Sequence, residues 1–170
     1  MTQSLWTDLR ALFEEDDGTL PEIRITYVKR DAVVAGYAML REVPGTAIND
    51  GAGFWCKLRH EERPLDSVPN AAALVVAGDA EPFHVVLRGM QLEGTTMPDL
   101  GVYVFPGQLA LDYRKGTGWN AEVLGALFLL LADLSALDEA ASLGLDDHAP
   151  AEDEQKFQRA WIMFQSERSD

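Results

Sequence analysis

DLGVYVFPGQLALDYRKGTGWNAEVLGALFLLLADLSAL, residues 99–137, decides the architecture of this chain. Leu100 to Phe105 and Gln108 to Tyr113 alternate large apolar residues with small or polar ones on either side of Pro106-Gly107. That pattern predicts two strands joined by a tight turn. Beyond Gly116-Thr117-Gly118, Asn120 is placed to cap a helix with Glu122 in its first turn, running to about Leu134. Leu127, Phe128, Leu130 and Leu131 leave that helix apolar on nearly every side, so it needs cover from a sheet and from other helices.

Towards the N-terminus, Ser4 is a candidate cap for a first helix with Trp6, Leu9, Leu12 and Phe13 on one stripe, ending within Glu14 to Gly18. Glu22 to Lys29 alternates as a half-buried strand. Asp31 to Glu42 fits a helix opened by Asp31 and also a second strand; Gly36, about 1 kcal/mol worse than Ala inside a helix, tips the reading to strand. Residues 43–53 read as a loop, Phe54 to Leu58 as a strand, and residues 59–70 as a loop. Ala71 to Ala77 and Phe83 to Leu92 read as strands, followed by a loop from Gly94 to Pro98. Gly144 to Pro150 is expected to be a loop, and Glu152 to Glu167 a closing helix with acids favourably placed at its N-terminus. Together these give a single α+β domain over residues 1–170. Its antiparallel sheet, of about five to seven strands, is packed by an N-terminal helix and two C-terminal helices.

Composition limits the partners. A hydrophobic content of 47% over 170 residues argues for a real core, so the net charge of −14 must lie on its surface. Such a surface repels nucleic-acid phosphates and attracts a cationic protein. The charge is uneven: Asp8 to Glu22 carries net −5 and Leu131 to Asp170 net −7, whereas Arg24 to Arg63 carries net +2. Cys56 is the only cysteine, which leaves no internal disulfide and no CxxC pair. The longest apolar run, Val123 to Ala132, is ten residues, against about 20 needed to span a bilayer. With no signal-peptide pattern, a cytoplasmic location and no membrane partner are expected.

No motif for catalysis stands out. His60, His84 and His148 lack the spacing of metal ligands, and His148 beside Asp146 and Asp147 reads as an acidic loop, so no metal or cofactor is expected. GxSxG is absent, and Gly116-Thr117-Gly118 lacks the remaining positions of a phosphate-binding loop. On a strand, Asp112 and Arg114 share a face and are expected to pair, with Tyr113 on the other face. Tyr113, Arg114 and Trp119 then form either a binding edge or the fastening of a strand-to-helix corner. In the last helix Phe157, Ala160, Trp161 and Phe164 make one stripe; Ile162 and Met163 fall outside it, available to a partner or to a second copy in a homodimer.

These features describe a non-enzymatic acidic protein-binding domain. Its expected model is a bacterial immunity-type protein whose negative face covers a basic site on an effector. The binding residues expected are Glu14, Glu15, Asp16, Asp17, Tyr113, Arg114, Trp119, Asp146, Asp147, Ile162 and Met163. Two alternatives stand beside it. One is a small hydrolase or small-molecule binder using His84, Glu93 and Asp112 in a pocket at the sheet; the other is an oligomeric scaffold.

Overall fold

A computed structural model describes residues 2–169. Its first half runs α1 (Thr2–Leu9), β1 (Glu22–Thr26), α2 (Asp31–Glu42), β2 (Ala47–Ile48), β3 (Gly53–Cys56), β4 (Glu61–Pro64) and α3 (Ala71–Ala77). Then follow β5 (Phe83–Arg88), β6 (Gln91–Leu92), β7 (Thr95–Thr96), β8 (Leu100–Phe105), β9 (Gln108–Tyr113), α4 (Ala121–Ser135), β10 (Ser142–Leu145) and α5 (Ala151–Ser169). The expected α+β class holds, with a six-stranded antiparallel sheet in the order β10-β1-β9-β8-β5-β2 and two small hairpins, β3–β4 and β6–β7, beside it.

The alternation seen in the sequence sorts the sheet into two faces. On one, Ile23, Ile25, Val85, Val102, Val104, Leu109 and Leu111 are buried, and they join α2, α3 and α4 in one apolar cluster. The opposite face carries Glu22, Arg24, Asp112, Tyr103 and His84, and Tyr103 is 37% exposed there. Asn120 caps α4 as expected, its side-chain oxygen accepting from the N–H groups of Glu122 and Val123, both at 3.0 Å. Leu127, Phe128, Leu130 and Leu131 are all buried, and α5 wraps Phe157, Trp161 and Phe164 around Phe128 with ring centroids 5.4–5.8 Å apart.

Several local expectations need correction. Asp31 to Glu42 is helix α2, not a strand. Ala71 to Ala77 is likewise helix α3, with Ala71, Ala72 and Val75 on its buried stripe. Asn70 decides the latter: its Oδ1 accepts from Ala72 N–H at 3.0 Å, its Nδ2 donates to Val34 O of α2 at 3.2 Å, and Gly78 closes the helix at φ 83°. Ser4 lies inside α1, which starts at Thr2, so it is not the cap. Residues expected to be loop hold β2, β4 and β7, and β10 begins before the loop expected at Gly144. The strand expected to run from Phe83 to Leu92 ends at Arg88, because Gly89 turns the chain at φ 72°.

Asp138, 2% exposed, fastens the α4–β10 connection to the end of β1. Its carboxylate accepts from the N–H groups of Val28 (2.7 Å), Lys29 (2.8 Å) and Ala140 (3.0 Å).

Candidate functional site

The two acid-rich tracts meet at the end of the sheet where β1 begins and β9 ends. In the loop before β1, Asp17 accepts from Thr19 N–H at 3.0 Å and from Thr19 Oγ1 at 2.6 Å, a local turn fixed by its own side chain. Lys115, just past β9, places its ammonium 3.0 Å from the same carboxylate. The Thr19 bonds, and then Lys115, hold the Asp17 carboxyl well below the usual carboxylate range. Facing them, the β10–α5 loop is turned by Asp146, whose Oδ1 accepts from His148 N–H at 2.6 Å.

Between the two loops lies a cleft of about 390 Å³ lined by Asp17, Glu22, Asp146, Asp153, Lys115 and His148, with Leu20, Pro21 and Leu145 among its apolar walls. Four acidic residues thus line it with one lysine, and Glu22 is also held by Arg24 at 3.1 Å. Tyr113 forms part of the lining, and burial, reinforced by Asp153 and Asp146, raises its phenol well above its ordinary value. Leu20 at the rim is 61% exposed.

The other expected site residues are dispersed around this cleft. Glu14, Asp16, Arg114 and Trp119 line an adjoining groove, where Asp16 pairs with Arg114 at 3.2 Å; Glu15 is exposed on the same loop. Asp147 lies at the sheet side of its loop, 2.9 Å from Arg24, which also holds Glu22 at 3.1 Å. Tyr113 and Trp119 are almost wholly buried and pack with Phe13, their ring centroids 4.6–5.2 Å apart. Tyr113 Oη donates to Leu12 O at 3.1 Å and Trp119 Nε1 to Arg114 O at 2.8 Å, so both rings fasten the corner. Ile162 and Met163 are 63% and 50% exposed on α5. Eleven residues into that helix, Ile162 stands about 16 Å along the axis from its start at the cleft.

The expected Asp112–Arg114 pair does not form: Arg114 turns to Asp16, and Asp112 crosses the sheet instead. Asp112 Oδ2 lies 2.6 Å from His84 Nε2, although β8 runs between their two strands. The register explains how. Asp112 is paired with Gly101, where a Cβ would collide with the Asp112 carboxylate, so only glycine leaves it a path over β8. Tyr103, paired with His84, tilts its ring over the imidazole at 4.3 Å. Of the alternative trio, the structure unites His84 and Asp112 on an open face. Glu93 stands apart in the β6–β7 turn at φ 50°. Gly101 was the available signal, since a glycine inside a strand often marks close approach by another group.

Among the described residues no three His, Cys, Asp or Glu side chains converge as metal ligands do, and no helix is long and apolar enough to cross a membrane. No protein family, curated protein or solved structure matches this chain.

Proposed function

We propose that this chain is a non-enzymatic binding domain that captures a cationic protein through the cleft between Asp17 and Asp153, in the manner of an immunity-type protein covering a basic site. One observation carries the reading: acid-rich segments from opposite ends of the sequence line the same cleft, with an exposed leucine at its rim. Lys115, on Asp17, and Arg24, on Glu22, offset only part of that charge. An incoming lysine or arginine would gain charge-assisted hydrogen bonds to carboxylates already held in place by Thr19 and by the Asp146 turn. The net charge of −14 adds long-range steering.

Such capture acts mainly on the rate of encounter. A partner recovered at low salt and followed by stopped-flow should associate more slowly as salt rises, and more slowly again with the Asp146→Asn/Asp153→Asn variant. Dissociation should change less. A recovered partner that is acidic, or an association rate indifferent to both salt and the double variant, would reject the proposal.

A further inference from the structure

We infer that the partner's footprint continues from the cleft onto the uncovered sheet face, where Tyr103, beside Asp112, seats an arginine side chain of that partner. This rests on the cleft reading and extends it. Glu22 links the two places: it lines the cleft and is the cross-strand partner of Asp112 on the sheet face. Asp112 in turn passes over Gly101 to His84, on which Tyr103 is tilted. With strands spaced about 4.8 Å apart and a two-residue offset of about 7 Å along β8, Glu22 on β1 and Tyr103 on β8 are separated by about 12 Å across the sheet. An extended segment with two cationic residues spans that distance.

The chemistry favours arginine. Tyr103 and Phe105 are stacked nearly parallel, ring centroids 5.7 Å apart at 21°, and Tyr103 keeps a 37%-exposed aromatic surface. A planar guanidinium stacks on such a surface and bonds to a carboxylate at its edge; a lysine ammonium does the first less well. Charge agrees. Glu22, Asp112 and Asp147 stand against Arg24 and His84, and Arg24 is already engaged by Glu22 and Asp147. The bond to His84 takes one of the several hydrogen bonds that the Asp112 carboxylate is able to accept. Glycine weakens a strand, and a part-exposed tie restores little, so what Gly101 provides is a carboxylate and an imidazole fixed beside Tyr103.

The test is a nuclear magnetic resonance titration of the full chain with a capped Arg-Gly-Arg peptide, using Lys-Gly-Lys for comparison. Signals of Tyr103, His84 and Asp112 should move with the arginine peptide and less with the lysine one. Tyr103→Ala should weaken binding about 2- to 5-fold, Tyr103→Phe should keep it, and Asp112→Asn should weaken it. Movement confined to Asp17, Asp146 and Asp153, with Tyr103→Ala having no effect, overturns the sheet-face inference and leaves the cleft reading standing. Movement confined to the Tyr103 side counts against the cleft and, with it, overturns a footprint continuous between the two places. No movement on either side, or equal binding by Tyr103→Ala folded as the parent by circular dichroism, also overturns it.

Discussion

Gly36 of α2 rests so close to Leu109 of β9 that a Cβ at this position would lie 2.8 Å from Leu109 Cδ1, with Tyr27 Oη at 3.3 Å and Leu134 Cδ2 at 3.4 Å. All three neighbours are buried, leaving them little room to yield. In an exposed helix Gly→Ala would gain about 1 kcal/mol. Here overpacking dominates, and Gly36→Ala should cost about 1–3 kcal/mol. Urea unfolding decides it; a stabilised variant would show that α2 is free to back away from the sheet.

The same contact explains which parts of the fold the sequence disclosed. β8, β9 and α4 carry their period and their punctuation together, in Pro106-Gly107 and Asn120. In α2 the apolar residues are spread around the helix, and the helical glycine is required by Leu109 from a distant strand. The seven residues of α3 are too few to show a period, and the deciding bond runs from Asn70 to Val34. The acidic tracts were visible as composition. Their meeting across one cleft, and the passage of Asp112 over Gly101, depend on sheet register, which no local pattern encodes.

Leu127 and Leu130 test the central helix. Both are nearly fully buried in α4 between the other helices and the sheet. Leu127→Ala and Leu130→Ala should each cost about 2–5 kcal/mol, because the cavity left behind adds to the lost transfer energy. A loss below about 1 kcal/mol at both sites, read from urea midpoints, would mean that the helix repacks freely.

Asp138 should make stability depend on acid. The N–H groups of Lys29, Ala140 and Val28 hold its carboxyl below the ordinary value. A carboxyl lowered by folding contributes in full above its unfolded value of about 3.9 and loses that contribution as pH falls through the lower folded value. Asp138→Asn should therefore be less stable than the parent at pH 7 and should lose less on going to pH 3. Unfolding curves with the same pH slope in both proteins would refute this.

Gly101→Ala tests the path across the sheet. The added methyl would occupy the place of the Asp112 carboxylate and force it off His84. The imidazole signals of His84 should then move from their positions in the parent by nuclear magnetic resonance, with the fold retained by circular dichroism. Unchanged His84 imidazole signals would show that Asp112 reaches it by another route.

Glu154 and Gln158 of α5 close the outer edge of the sheet with side chains in place of a strand. Glu154 Oε2 accepts from Leu145 N–H at 2.8 Å, and Gln158 Nε2 donates to Leu143 O at 2.6 Å, while β1 occupies the other edge of β10. An uncovered edge is a template for another strand. Replacing both residues by alanine should therefore promote self-association, seen as concentration-dependent sedimentation absent from the parent; Glu154→Gln, which keeps an acceptor, should not. Salt gives this prediction its sharpest form. Copies carrying −14 each repel one another, so screening should strengthen edge-to-edge association of the double variant. Capture of a cationic partner must weaken under the same screening. If self-association of the double variant weakened as salt rose, the contact would be electrostatic rather than through the backbone edge, and Glu154 and Gln158 would not be what keeps that edge closed.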